Sequence, residues 1–194
     1  DQIYGTAGNN SLYGDAGNDT IYSGIGNDYI HGGDDNNTVD YTDRHSSSNV
    51  RVNLSDTSKS HNSGTVTATM TGATSGMTDT LVNIQNVNTG GGDDTIWGNN
   101  ENNIINSGAG NDVIYGIGGT NTIYAGSAAD TIYGGTGVDS IFGEEGNDYI
   151  FASAGADIID GGANSDLVDY SSSSTGINLT LLDSGATVSV SHNI

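Results

Sequence analysis

Apolar residues recur at every ninth position over two long stretches of the chain. From Thr89 the sequence divides without a gap into nine nonapeptides that end at Asp169, and from Gly5 into four that end at Asp40. Position eight is Ile, Leu or Val in all thirteen units, within a short β-prone triplet such as TIY, VIY or SIF. Because side chains alternate along a strand, position eight faces one side of the triplet and its neighbours face the other. The pattern therefore predicts an array of very short strands, each with one buried residue.

The first five positions of each unit predict a turn between these strands. They are rich in Gly and Asn, which accept the positive φ angles of tight turns. Two units then make one coil, and coils stack about 4.8 Å apart as two parallel sheets. The prediction is an all-β parallel solenoid with a thin core. In the second stretch its ladders are Ile96, Ile114, Ile132, Ile150 and Val168 in one sheet, and Ile105, Ile123, Ile141 and Ile159 in the other.

A segment between the two stretches carries a different pattern. Apolar and polar residues alternate over 50–54 and again over 66–70, which predicts two strands. The triplet Val-Asp-Tyr that precedes this segment at 39–41 returns at 168–170, so a larger module recurs with Val168 in the place of Val39. Alternating segments follow the second triplet as well, at 177–181 and 186–190.

The segment is interpreted as a β-hairpin-like insert that caps the repeat stack and suppresses edge pairing. A partner-binding role is the alternative. Residues 1–4 match the last four positions of a repeat, so we expect the chain to be a piece of a longer protein. We divide it into a first repeat block (1–41), the β-rich insert (42–88), a second repeat block (89–170) and the start of a second insert (171–194).

The charge balance excludes several classes of partner. Only three basic residues stand against 24 acidic ones, which gives a net charge of −21. Nucleic acid binding needs clustered Lys or Arg, and anionic membrane surfaces are disfavoured for the same reason. No apolar run approaches the length of a membrane span, and there is no cysteine for a disulfide or a thiolate metal site. So acidic a chain needs its charge neutralised before it can fold.

Stacking places the Asp or Asn at position six of every second unit in one row. Carboxylates about 5 Å apart repel by about 0.8 kcal/mol per pair in water, and by several times more where they are partly buried. A cation between coils removes this repulsion, and turn carbonyls add the oxygen ligands that a hard ion prefers. Ca²⁺ suits such a site better than Mg²⁺, which demands a tight octahedron and keeps its waters. The sequence therefore predicts several calcium ions, held by Asp1, Asp19, Asp28, Asp94, Asp112, Asp130, Asp139, Asp148, Asp157 and Asp166.

These nonapeptides resemble the RTX (repeats-in-toxin, haemolysin-type) family, whose pattern is GGxGxDxUx. The resemblance implies a right-handed parallel β-roll in which position-six aspartates and turn carbonyls of stacked coils share each Ca²⁺. It also implies export by a type I secretion system and folding by calcium outside the cell. Some units depart from the pattern, since Asn99, Glu101 and Glu144 replace its glycines. The turn carbonyls expected to bind are those of Gly14, Gly17, Gly90, Gly92, Gly108, Gly110, Gly126, Gly135, Gly137, Gly146, Gly155 and Gly162.

The mixture of Asp and Asn at position six predicts a ranking of the sites. Strong sites are expected at Asp1/Asp19, Asp94/Asp112, Asp112/Asp130, Asp130/Asp148, Asp148/Asp166 and Asp139/Asp157. Weak sites are expected at Asn10/Asp28, Asp19/Asn37 and Asn121/Asp139, and the pair Asn103/Asn121 is expected to be empty.

An aromatic stripe is predicted at position nine of one sheet. It faces outward and contains Trp97, Tyr115, Tyr133 and Phe151. Such rings either stabilise a narrow sheet by cross-strand packing or bind a glycan or another protein. We favour the stabilising role.

No catalytic motif accompanies the repeats. The sequence contains no HExxH, no GxSxG and no Gly-rich loop followed by Lys. The prediction is a non-catalytic calcium-binding module at the cell surface or in the extracellular medium, part of a larger adhesin or surface protein. The alternatives are an accessory domain of a secreted metalloprotease, lipase or polysaccharide-modifying enzyme, and a carbohydrate- or partner-binding module.

Overall fold

The computed structural model describes residues 1–43, 48–54, 66–71, 77–151, 154–171, 180–181 and 187–191. Over these ranges the regular secondary structure is entirely β. The strands are β1 (Gln2–Tyr4), β2 (Ser11–Tyr13), β3 (Thr20–Tyr22), β4 (Tyr29–His31), β5 (Thr38–Asp40), β6 (Asn49–Asn53), β7 (Val66–Thr71), β8 (Thr78–Val82), β9 (Asn86–Gly91), β10 (Thr95–Trp97), β11 (Ile104–Ala109), β12 (Val113–Tyr115), β13 (Thr122–Ser127), β14 (Thr131–Tyr133), β15 (Ser140–Glu145), β16 (Tyr149–Phe151), β17 (Ile158–Asp160), β18 (Ser165–Asp169), β19 (Thr180–Leu181) and β20 (Thr187–Ser191).

Each repeat forms its strand where the nonapeptide pattern predicts it, over positions seven to nine. Strands two repeats apart pair in parallel and in register; Ile96 lies beside Ile114 and Ile105 beside Ile123. Position eight is buried in all thirteen repeats, and burying one such side chain stabilises the fold by roughly 1.5–3 kcal/mol. The predicted all-β parallel solenoid is confirmed.

The two walls of the roll contain different numbers of strands. One sheet has nine, in the order β1-β3-β5-β9-β11-β13-β15-β17-β19. The other has eleven, in the order β2-β4-β8-β7-β6-β10-β12-β14-β16-β18-β20. In the nine-stranded sheet the aliphatic ladder passes from one block to the next without a gap, because Val87 pairs with both Val39 and Ile105.

The insert lies inside the eleven-stranded sheet, which differs from the capping role expected of it. The predicted hairpin exists, since β6 and β7 pair antiparallel. However, β6 also pairs in parallel with β10, and β8 pairs with both β7 and β4. β6 and β8 join the two repeat blocks because Val52 and Leu81 align with the position-eight ladder and are fully buried. The division into four segments stays a prediction.

The second predicted strand pair is described in part. Of the segment 177–181, only 180–181 are described, as β19, and of 186–190, residues 187–190 belong to β20. The remainder of these two predicted strands lies outside the described residues. The described ranges contain no helix that could span a membrane.

Two glycines with the same backbone angle allow a test of coil stacking. Gly126 has φ +110° and Gly17 has φ +107°. A Cβ on Gly126 would overlap the carbonyl oxygen of Gly108 in the preceding coil, whereas a Cβ on Gly17 would meet nothing within 4 Å. We expect Gly17→Ala to cost about 1–2 kcal/mol for backbone strain alone. Gly126→Ala should lose about 1–3 kcal/mol of stability more than Gly17→Ala, because of the overlap.

Thermal unfolding of both variants in the presence of calcium measures the difference. Since the two glycines share nearly the same φ value, backbone strain cancels in the comparison. Equal losses in the two variants would show that the coils are not stacked as closely as described.

Candidate metal centre

The position-six side chains of the second block form a continuous row within the turns. The backbone N–H of each residue donates to Oδ1 of its counterpart in the next coil. These bonds measure 2.7 Å from Asp94 to Asp112, 2.7 Å from Asp112 to Asp130, 2.9 Å from Asp130 to Asp148 and 3.0 Å from Asp148 to Asp166. All five residues are at most 3% exposed. The structure therefore brings together the whole of the first predicted aspartate row.

The second row follows the same pattern on the other side of the roll. Asn121 N donates to Asp139 Oδ1 at 2.8 Å, and Asp139 N donates to Asp157 Oδ1 at 3.0 Å. In the first block, Asp28 accepts from Asn10 N at 2.7 Å. Asp1 follows the same pattern, because its N donates to Asp19 Oδ1 at 2.7 Å, although its own side chain is 86% exposed.

Most of these carboxylates satisfy only one of their two oxygens. Oδ2 is buried without a hydrogen-bond partner in Asp19, Asp94, Asp112, Asp130, Asp139 and Asp148. A buried polar atom without a partner costs about 1–3 kcal/mol, and more when it is charged. Successive coils thus present buried Oδ2 atoms that accept no hydrogen bond from the described part of the protein. These oxygens are suitable ligands for a cation.

The space beside these oxygens stays open because position one is often glycine. A Cβ on Gly14 would lie 2.5 Å from Asp19 Oδ2 and would overlap the carbonyl oxygen of Gly32 in the next coil. A Cβ on Gly143 would overlap both Asp148 Oδ2 and a carbonyl oxygen of the next coil. Each of these two turns therefore contains a space bounded by a carboxylate oxygen and by a carbonyl oxygen of the next coil. Such an all-oxygen environment fits Ca²⁺.

The glycine carbonyls expected to act as ligands are placed along the stack. All of these glycines except Gly14 and Gly155 have positive φ. The oxygens of Gly90, Gly92 and Gly108 lie close to the equivalent glycine of the next coil. Among the described residues no three acidic or histidine side chains form a cluster. An ion here would take two carboxylates and complete its shell with backbone oxygens.

The electrostatics of the rows show the cost of leaving them without a cation. Loss of hydration on burial is the main cause of raised pKa values throughout. It raises the pKa of Asp157, and it raises the pKa to about 7 for Asp94, about 8 for Asp130 and about 6 for Asp112, Asp139 and Asp148. Neighbouring carboxylates add to the shift in the pKa of Asp130, through Asp112 and Asp148.

These pKa values predict how the calcium-free chain responds to pH. A carboxyl whose pKa is higher in the folded than in the unfolded form favours folding when protonated. Its contribution is full below about pH 4 and is lost as pH rises through 6 to 8. After calcium is removed by dialysis, circular dichroism should therefore show more β structure at pH 5 than at pH 8. Equal spectra at the two pH values would contradict burial of these carboxyls.

Asparagines interrupt the second row with neutral groups. Asn103 Nδ2 donates to the carbonyl oxygen of Gln85 at 2.7 Å, and Asn121 Nδ2 donates to that of Gly118 at 3.1 Å. These amide N–H groups occupy carbonyl oxygens, as a cation would, and add no negative charge. The arrangement supports the expectation that the pair Asn103/Asn121 is empty, and the ranking of sites stays a prediction.

Two residues of the insert continue the rows and were missed by sequence reasoning. Asp79 is fully buried and accepts from Asp28 N at 2.9 Å; Gln85 accepts from Asn37 N at 2.8 Å. The available signal was DTLV over 79–82, which matches the aspartate and apolar positions of the repeat. The shifted spacing of the insert concealed it.

The predicted aromatic stripe is a stack of nearly parallel rings. Ring centroids are 5.6 Å apart between Trp97 and Tyr115, 4.7 Å between Tyr115 and Tyr133, and 4.3 Å between Tyr133 and Phe151. The Arg51 guanidinium lies 4.7 Å from the Trp97 ring centroid. Since ring faces within the stripe cover one another, little flat surface remains for a sugar to stack on. This geometry supports the stabilising role.

A comparison with models of known protein families agrees with the nonapeptide repeat. The family model of the RTX calcium-binding nonapeptide repeat matches four times, at residues 4–39, 85–114, 115–150 and 133–168. These matches cover more than half of the chain. No curated protein matches it. The position-six aspartates of both blocks fall within the matched segments, apart from Asp1. The chain belongs to the RTX calcium-binding nonapeptide repeat family.

Proposed function

We infer that this chain is a structural module that folds around calcium in the extracellular medium. The observation that carries this function is the set of buried Oδ2 atoms without partners in successive coils. The aspartates would hold Ca²⁺ between neighbouring turns, with the turn carbonyls completing the oxygen shell. The residues proposed as ligands are the ten aspartates and twelve turn glycines predicted from the sequence.

Calcium supplies the positive charge that the chain lacks. The net charge of −21 opposes compaction, and each bound ion removes two charges from the interior of the roll. Because such a site does not exist in the unfolded chain, ion binding and folding share one free energy. Extracellular calcium modules typically bind at about 10⁻⁴–10⁻³ M. A low-calcium cytosol would therefore keep the chain unfolded for type I export.

The recurrence of a large module supports a role in a long surface protein or adhesin. Tyr41 and Tyr170, which close the two Val-Asp-Tyr triplets, are both buried. The aspartates before them act alike: Asp40 Oδ1 accepts from Thr42 N, and Asp169 Oδ1 accepts from Ser171 N. The same local structure thus ends both blocks, as expected of tandem modules that serve as a scaffold.

Equilibrium dialysis against calcium or magnesium tests the proposed function. We expect several Ca²⁺ per chain at millimolar concentration and far less Mg²⁺, because Mg²⁺ retains its waters. If the chain binds no calcium at a calcium concentration several times the expected dissociation constant, the proposal is wrong. The sequence flanking this chain separates the two kinds of parent protein: further tandem modules indicate a surface protein, and a catalytic domain indicates a secreted enzyme.

A further inference from the structure

Position one of the repeat faces the carboxylate at position six of the same turn. Where position one is glycine, the missing side chain would point at this carboxylate: a Cβ on Gly134 would lie 3.1 Å from Asp139 Oδ2. Where it is Thr89 or Ser107, the hydroxyl lies beside the carboxyl of the same turn, Asp94 or Asp112. The Thr89 proton itself is donated to the carbonyl oxygen of Ser107 at 2.9 Å. A side chain at position one therefore reaches the predicted ion row.

Tyr170 occupies position one of the coil that follows Asp157. The last complete repeat ends at Asp169, and Tyr170 stands two units after Ala152, the position-one residue of the Asp157 unit. Tyr170 is 2% exposed, and its hydroxyl is buried without a hydrogen-bond partner among the described residues. Burial and then the nearby charge of Asp157 raise the pKa of Tyr170 to about 12. A neutral buried oxygen thus lies within range of the charge of Asp157, the last carboxylate of the row.

Tyr41 occupies the equivalent position in the first copy of the module. It stands thirteen residues after Asp28, as Tyr170 stands thirteen after Asp157, and it is fully buried. Above Asp28 the row continues into the insert, because Asp79 stacks on it through the 2.9 Å hydrogen bond. In the first copy, the coil above Asp28 therefore continues the carboxylate row, and Asp28 is the counterpart of Asp157.

We propose that the Tyr170 hydroxyl is an oxygen ligand of a further calcium site, which it forms with the carboxylate of Asp157. A hard cation accepts neutral oxygens as well as carboxylates. The hydroxyl extends the row by one ligand without placing another negative charge beside Asp157. This site rests on the calcium binding proposed above.

Tyr170→Phe in the full chain tests the site. Tyr124→Phe is the matched control, because Tyr124 is half-buried in the nine-stranded sheet and stacks on Phe142 at 4.9 Å, away from the turns. Equilibrium dialysis should find one Ca²⁺ fewer in Y170F and no change in Y124F. Y170F should also unfold at a lower temperature than the wild type in saturating calcium.

The opposite sign of the stability change would overturn the proposal. If no ion contacts the hydroxyl, removing a buried unpaired O–H stabilises the roll and leaves the number of bound ions unchanged. Asp157→Asn gives an independent count should Y170F fail to fold. Its carboxylate belongs to two sites if Tyr170 is a ligand, so two ions should be lost; a loss of one contradicts the site. A wild-type chain that binds no calcium would instead refute the proposed function itself.

Discussion

Chelation of calcium at pH 8 should convert the chain from an ordered β-roll to an expanded, largely disordered polymer. Circular dichroism should lose its β signal in EDTA, and the radius measured by small-angle scattering should increase. Both should return when calcium is restored to several times the dissociation constant. Trp97, the single tryptophan, should report the same transition by fluorescence, because its ring is covered by Tyr115 and Arg51 only in the folded roll.

The expected size of this effect follows from the number of sites. An ion present at 100 times its dissociation constant stabilises the folded state by about 2.7 kcal/mol per independent site. Six strong sites are predicted, whereas the whole stability of a domain is typically about 5–15 kcal/mol. Removing the ions also leaves the buried carboxylates uncompensated, and the Asp130 pKa of about 8 reflects this cost. Hydrophobic ladders one residue wide are insufficient to offset both losses.

The same experiment in magnesium is the control for non-specific screening. Mg²⁺ shields a net charge of −21 as well as Ca²⁺ does, but it fits the turns less well. Full β structure in EDTA, or equal folding in magnesium, would contradict calcium as the ion that folds the chain.

Asp130→Asn should remove as much calcium-dependent stability as any single substitution in the long row. Asp130 lies between Asp112 and Asp148 and is hydrogen-bonded along the stack to both. Its carboxylate would therefore serve two ions, and its loss should cost up to about 5 kcal/mol at saturating calcium, taken as two sites at the mass-action value. The calcium concentration at the folding midpoint should rise several-fold, with about two ions lost.

Asp93→Asn is the matched control, because it makes the same change of charge one residue outside the row. Asp93 is exposed, and its Oδ1 accepts from Asn111 N at 2.8 Å, a bond that the Asn oxygen preserves. We expect its calcium midpoint to stay close to that of the wild type. In EDTA, D130N should be at least as ordered as the wild type, since a neutral amide is less costly to bury. Equal midpoints for D130N and D93N would show that calcium acts through overall charge.

The repeat itself was predictable because its structure is local and periodic. Positions one to five turn, position eight is buried, and pairing with the strand two units away follows from the spacing. The place of the insert was not predictable in this way. Two strands of the insert, β6 and β8, pair with β10 and β4 in the repeat blocks. No periodic pattern in the sequence links these distant segments. Which strands they join depends on the ladder already formed by the blocks.

The candidate site was likewise predictable only in part. The aspartate rows follow from stacking, and Asp112, Asp130 and Asp148 lie where the spacing places them. The sequence does not show that Oδ1 accepts a backbone hydrogen bond while Oδ2 stays without a partner. This difference depends on how closely the coils approach one another. Asp79 was not predicted as a site residue because the insert shifts the repeat frame. Tyr170 was not predicted because the repeat pattern contains no tyrosine.

The unequal walls affect the path of the molecule as a whole. Between the coil of β8–β9 and the coil of β10–β11, one wall contains the extra strands β7 and β6 while β9 and β11 are direct neighbours in the other. At about 4.8 Å per strand, one side is longer by about 10 Å at this point. We expect the axis of the roll to bend at this point, with the eleven-stranded sheet on the outside of the bend. Tandem copies would repeat the bend once in every module, so a long protein built from them would follow an arc or a superhelix.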